Sequence, residues 1–245
     1  MKRTYKIGGR IVEINSIYEN VHDLCKDYVW KGVADFNVEI LQSDIDFERK
    51  KAASEDKKEG IPTRHFSDGY LETLAVYRKI AEQMIEYNTL LFHGSVIAVD
   101  GIGYLFTAKS GTGKSTHTRL WRERFGERAV MVNDDKPLIQ VNGNGILAHG
   151  TPWDGKHHLS SNISVPLKAI CILNRGAENK ICRITKSAAY PMLLQQTHRP
   201  TNAEKMQNVF TLLDIICENL SIYRLECNMS PDAVTTAYNG MNTEE

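Results

Sequence analysis

Nowhere in the 245 residues does an apolar run approach the roughly 20 that a membrane-spanning helix requires, so no membrane partner is expected. The basic start Met1-Lys2-Arg3-Thr4-Tyr5-Lys6 is not followed by an apolar stretch, so it does not read as a secretory signal. An excess of charge is lacking too. Lys+Arg and Asp+Glu number 30 each, a balance that argues against a broad nucleic-acid or membrane-surface footprint. Cysteine is sparse: Cys25, Cys171, Cys182, Cys217 and Cys227 are odd in number and lack metal-ligand spacing. They read as reduced thiols, mostly in core patterns, of a cytoplasmic protein without structural disulfides or zinc. Repeats and low-complexity segments are absent. What is present, 42% hydrophobic and 24% charged residues, suffices for one large domain or one domain with a small appendage.

Tyr5-Lys6-Ile7 and Arg10–Ile14 flank Gly8-Gly9, a pair that tolerates positive φ twice and so predicts a hairpin. Val21, Leu24, Cys25 and Tyr28 fall at helical spacing, and Phe36–Ile40 alternates like a half-buried strand. Residues 44–60 are dense in charges of mixed sign and read as a solvated linker or exposed helix face rather than a patch for an acidic partner. These features predict a small N-terminal α+β unit with a charged linker over 1–66, followed by a larger domain over 67–245.

The larger domain opens with an amphipathic helix from about Tyr70 to Tyr87, with Ser67 or Asp68 as its cap. Strands are expected at Leu90–Val99 and Tyr104–Thr107 around the turn Asp100–Gly103, then a helix over Ser115–Phe125 and a buried strand at Ala129–Val132. Further strands are expected at Leu138–Val141, Ile146–Ala148, Lys168–Leu173 and Ile222–Cys227. A helical stripe runs from Met206 to Leu220, and Ser230-Pro231 reads as the cap and first turn of a last helix.

Between strand and helix lies Ala108-Lys109-Ser110-Gly111-Thr112-Gly113-Lys114-Ser115. It matches the phosphate-loop pattern except that Ala108 replaces the first glycine. Gly111 and Gly113 let the backbone turn N–H groups inward, and the following helix points its positive end at the same anion. Ser110, Gly111, Thr112, Gly113, Lys114, Ser115 and Thr116 are therefore the expected contacts to ATP. Lys114 neutralises charge between the terminal phosphates and the Ser115 hydroxyl is suited to Mg²⁺. A dinucleotide reading of Gly101-Ile102-Gly103 fails for want of a third glycine and of the right flanking elements.

About 20 residues after the loop lysine, Asp134-Asp135 closes an apolar strand, where a carboxylate meets the metal in nucleotide-binding α/β sheets. Adjacent carboxylates invite a division of labour, one holding Mg²⁺ and one taking the proton of an attacking hydroxyl.

In this order, Phe92-His93-Gly94, Val99–Phe106, Ser110–Ser115 and Val132–Asp135 resemble the HPr kinase/phosphorylase family, whose nucleotide-binding fold is shared with ATP-dependent phosphoenolpyruvate carboxykinase. The match covers about residues 90–141. The resemblance implies an α/β (α+β) phosphate-loop kinase domain. It implies that Lys114 contacts phosphates, that Ser115 and Asp135 hold Mg²⁺, that Asp134 is the catalytic base and that His93 lies near the transferred group. It also implies a homo-oligomer. The family's C-terminal segment that engages HPr is missing, as are the carboxykinase's substrate-binding basic residues, so neither substrate carries over. The chain is more similar to shorter, divergent relatives that phosphorylate free amino acids or peptides.

His149–His158 is dense in polar and aromatic groups. Thr151, Trp153 and Lys156 there are candidate contacts to the acceptor, and the same segment reads equally as a structural turn around a buried Trp. Arg199 is a further candidate contact. The resulting expectation is an ATP- and Mg-dependent kinase acting on a hydroxyl of an amino acid, polyol or peptide. The competing readings are a nucleotide-dependent switch without phosphoryl transfer and a kinase that modifies a ribosomally made peptide.

Overall fold

Gly8 and Gly9, at φ 58° and 77°, reverse the chain between β1 (Lys2–Ile7) and β2 (Arg10–Asn15), with Ile7 opposite Arg10. The computed structural model describes residues 1–243. After α1 (Asn20–Leu24) and a short 3-10 turn, β3 (Phe36–Glu39) joins β2 in parallel to complete a three-stranded sheet. The charged stretch is α2 (Gln42–Glu59), so the exposed-helix alternative describes it. Asp44 accepts the Leu41 N–H at 2.9 Å, and Gly60 ends the helix at φ 68°. α3 (Asp68–Met84) follows, and its Tyr70 N–H donates to the Ser67 hydroxyl at 3.3 Å. Tyr5, Ile14, Val21, Ile45, Leu71 and Ile80 are among the enclosed side chains of this first unit. The unit ends at Met84, so α3 falls within it, where the sequence predicts a boundary at 66/67.

The second unit begins at Ile85 and is built on a nine-stranded mixed sheet. Its elements run β4 (Thr89–Leu91), β5 (Ser95–Val99), β6 (Ile102–Thr107), α4 (Lys114–Phe125), β7 (Ala129–Asn133), β8 (Leu138–Asn142) and β9 (Gly145–His149). Then come β10 (Ser164–Arg175), β11 (Lys180–Arg183), α5 (Lys186–Gln196), α6 (Ala203–Asn219), β12 (Ser221–Cys227) and α7 (Asp232–Asn242). The order is β4-β8-β9-β10-β6-β5-β7, with β12 also on β10 and β11 on β12. The start of β10 pairs antiparallel with β9, and its remainder runs parallel to β6 and β12.

Side chains alternate across this sheet with the period of a pleated strand. Val96, Ala98, Leu105, Ile170 and Ile172 face one core with Leu193, Val209, Leu213 and Ile216 of α5 and α6. Ile97, Val99, Tyr104, Phe106 and Cys171 face the other, with Leu120, Trp121, Val234 and Ala237 of α4 and α7. Each fully enclosed aliphatic or aromatic chain of this kind contributes about 1.5–3 kcal/mol. Helices cover both faces of a mixed sheet in which, among the described residues, only β6, β10 and β12 pair in parallel, an α+β arrangement consistent with the expected α/β (α+β) class. No helix of the described residues is long and apolar enough to cross a membrane.

Three local expectations are corrected. Leu90–Val99 is two strands, because the amides between them leave the ladder: Phe92 N–H donates to Pro137 O, His93 N–H to Gln196 O and Gly94 N–H to Asp135 O. Ser230 does not cap α7; its hydroxyl accepts from Asn179 Nδ2 at 3.0 Å, and Pro231 precedes the helix. β11 carries no clear alternation and was not foreseen.

Candidate functional site

The end of β6, the start of β5 and the end of β7 lie at one margin of the sheet, since Ser95 pairs with Phe106 and Val96 with Asn133. That register brings three sequence-distant segments together: the glycine loop 108–113, His93-Gly94 and Asp134-Asp135.

In the loop, Gly111 and Gly113 take φ 75° and 120°, values that a side chain rarely adopts. Ala108 is not left-handed, so the alanine that replaces the usual glycine costs nothing in backbone strain; it is fully buried. α4 has no side-chain N-cap and no acid in its first turn, so its leading N–H groups are open to an external anion. Lys114 lies over the loop, its Nζ donating to Ala108 O at 3.3 Å. Burial pushes its ammonium below the ordinary lysine value, and the Asp135 charge partly restores it. Ser110 and Ser115 are exposed, and Thr116 half-buried, at the same mouth.

Asn133 organises the aspartate pair. Its Oδ1 accepts the Asp135 and Lys136 N–H groups at 2.9 and 2.6 Å, while its amide donates to Thr151 and Trp153. Asp134 is 5% exposed, and its carboxylate accepts the Gly155 N–H. Burial pushes this carboxyl above the usual range. The charges of Asp154 and Asp135 push the same way, and the Gly155 hydrogen bond offsets them in part. Asp135 is also pushed up by burial, its largest influence. The His93 hydrogen bond together with Lys136 and Lys114 outweighs burial, and the net direction is down. His93 Nε2 lies 3.4 Å from Asp135 Oδ1, and its Nδ1 is 2.6 Å from Gln196 Oε1. The expected residues Lys114, Asp135, His93 and Asp134 are thus brought to one place.

A family model described as "ScmC: SynChlorMet cassette protein ScmC" matches residues 68–230. The chain belongs to the ScmC family. Its description names no activity. Among curated proteins none matches. Of the solved structures, the Hpr(Ser) kinase/phosphatase from Coxiella burnetii is similar at 11% identity and a TM-score of 0.36, over 61% of this chain and 95% of that one. A likeness at that level carries no argument about chemistry.

Around this core, the ScmC chain adds groups that no sequence motif marks. Arg175, at the end of β10, donates to the carbonyls of Gly111 and, at 3.4 Å, Thr112. It thereby pins the glycine loop by two of its carbonyls. Arg175→Ala is expected to speed amide hydrogen exchange at Gly111–Gly113 about fivefold, the equivalent of a net hydrogen bond of about 1 kcal/mol, with the global melting temperature nearly unchanged.

The segment after β9 packs as a strap against the end of β7. Thr151 is enclosed, its hydroxyl donating to Lys136 O at 2.9 Å, and Trp153 is buried. These two support the aspartates through Asn133, as in the structural-turn reading, while Lys156 and Arg199 are exposed. The strap fits closely: a Cβ on Gly150 would meet Ser161 O at 1.8 Å and Val132 O at 2.6 Å. Gly150→Ala is therefore expected to cost about 3 kcal/mol, the upper end of overpacking, read as a lower urea midpoint at unchanged slope.

Proposed function

We propose that this ScmC protein transfers the γ-phosphoryl group of ATP to a hydroxyl on a small molecule, such as an amino acid or polyol, or on a peptide. The observation that carries the reading is the opposite perturbation of two neighbouring carboxyls, Asp134 upward and Asp135 downward, beside a half-buried lysine and an uncapped helix start. Environments that push paired acids apart are how one site obtains a base and a permanent anion.

The groups suited to a polyphosphate are the N–H groups of residues 110–116 other than Thr112, whose N–H donates to Lys109 O at 3.2 Å, and the Lys114 ammonium. The residues also fit a magnesium ion. Ser115 Oγ is exposed with no hydrogen bond to the described residues, and Asp135 is held as an anion. Among the described residues no cluster of three or more His, Cys, Asp or Glu could hold a metal by protein ligands alone. Mg²⁺ is usually bound by one or two carboxylates together with substrate phosphates and water, and Asp135 supplies such a carboxylate. When bound, the ion would neutralise charge on the terminal phosphates, with Ser115 and Asp135 as its protein ligands.

Asp134 accepts the proton of the acceptor hydroxyl as its oxygen bonds to the γ-phosphorus. The bond from that phosphorus to the bridging oxygen breaks, and ADP leaves. Lys114 and the loop amides stabilise charge on the transferring group. His93, fixed by Gln196 and Asp135, lies next to the carboxylates and orients Asp135.

The direct test is [γ-³²P]ATP with pooled amino acids, sugars, polyols and peptides. Label is expected in one acceptor pool. Release only as inorganic phosphate, indifferent to every pool, would favour a nucleotide-dependent switch instead. Calorimetry showing no heat with any magnesium nucleotide at millimolar concentration would remove both readings.

A further inference from the structure

A cavity of about 470 Å³ opens beside the glycine loop, on the side away from the aspartates. Its floor and walls come from four segments. They are the glycine loop, the first turns of α4, the end of β10, and the end of β12 with the residues that follow it. The volume is within the range of about 300–1,000 Å³ typical of small-molecule sites.

The cavity is rich in apolar surface and poor in fixed polar groups. Leu120 and Leu173 form a buried wall, and Met229, 78% exposed, overhangs the rim. An exposed thioether next to a slot is suited to lie on the face of a flat ring. The polar side chains of the lining are largely committed elsewhere. Asn228 donates to Ala177 O at 2.9 Å and accepts from Ser230 N–H at 2.9 Å. Arg175 holds the loop carbonyls, and the Thr112 hydroxyl donates to Lys109 O at 2.8 Å. His117 Nε2 accepts from Trp121 Nε1 at 3.0 Å, which places the proton of the neutral ring on Nδ1. That Nδ1 is buried and has no partner. Burial pushes the imidazole down to about 4, so it stays neutral. Asn174 is exposed, and its amide can turn either its oxygen or its nitrogen inward.

We infer that this cavity holds the base end of a purine nucleotide whose phosphates lie on the glycine loop, and that it grips the ring by apolar contact without selecting adenine over guanine. The inference rests on the nucleotide-binding part of the proposed function. Continuity with the loop, through Gly111, Thr112 and Gly113, sets where the ligand's other end must be. Discrimination between a 6-amino and a 6-oxo group requires donors and acceptors held in place, so that the wrong base leaves one unpaired. Here Asn228, Arg175 and Thr112 are already paired, His117 Nδ1 is enclosed away from the open space, and the exposed Asn174 amide serves either base.

The test is competition binding to the intact protein in Mg²⁺ with three ligands: ATP, GTP and inorganic tripolyphosphate. ATP and GTP are expected to bind within about fivefold of each other, and tripolyphosphate at least tenfold more weakly. Met229→Ala, an exposed substitution that leaves the core intact, is expected to weaken ATP and GTP together about threefold to tenfold and to leave tripolyphosphate unchanged. In a Cys182→Ser background, which removes the exposed thiol, ATP and GTP should slow alkylation of Cys227 and tripolyphosphate should not. Tripolyphosphate binding as tightly as ATP would overturn the cavity assignment. A preference of fiftyfold or more for either base would overturn the lack of selection. If none of the three bound, the nucleotide reading itself would fall, and with it this inference.

Discussion

Lys114→Ala is expected to lower phosphoryl transfer by at least about 10³-fold, because it removes a half-buried cation beside the glycine loop. The ammonium is held in a partly desolvated position, where its interaction with added negative charge is stronger than at the surface. Its hydrogen bond among the described residues is to a carbonyl, Ala108 O, at 3.3 Å, and its attraction to Asp135 leaves the ammonium free to bond a phosphate. Asp135→Ala is expected to be as damaging, since it removes both the anion suited to Mg²⁺ and the partner of His93. Turnover is to be measured with labelled ATP, with thermal melting as the control for folding. A Lys114→Ala protein within tenfold of wild type would exclude the loop as the phosphate site.

Asp134→Asn is expected to lower turnover about 10²–10⁴-fold while leaving magnesium–nucleotide binding largely intact. It should also melt higher than wild type near neutral pH. The folded protein raises the Asp134 carboxyl above its unfolded value by burial, so ionising it opposes folding. That cost is absent below the unfolded value, where both states are protonated, and is complete once pH exceeds the folded value. The stability advantage of the asparagine variant should therefore be present at pH 7 and vanish in acid. Asparagine retains an oxygen to accept the Gly155 N–H. Wild-type activity should fall on the acid side at a pH above the ordinary carboxylate range. Normal turnover by Asp134→Asn would show that another group removes the proton.

Where chemistry is written in a short string, the sequence disclosed it. Gly8-Gly9 dictates a hairpin, Ser110–Ser115 dictates a glycine loop before a helix, and Asp134-Asp135 ends an apolar strand in each description. The groups that hold these in place were not legible. Arg175 reaches Gly111 across 64 residues, and Gln196 reaches His93 across 103. Nothing local in either neighbourhood distinguishes them from surface residues. Gly150 and Gly155 look from the sequence like parts of a polar loop, because closeness to Ser161 and Asp134 is a property of packing and not of composition. The break at Phe92–Gly94 was hidden for a similar reason: those amides find partners on two distant segments, Asp135–Pro137 and Gln196.

β10 has a mechanical consequence. One continuous strand is zipped to β9 at its beginning and to β6 and β12 along the rest, so the two halves of the sheet share a single spine. Neither half can peel away without tearing ladder bonds from the other. The amides of Ile170–Leu173 should consequently exchange only when the whole second unit opens, and the rim that carries the aspartates inherits its stiffness from a strand that contributes no reacting group to it.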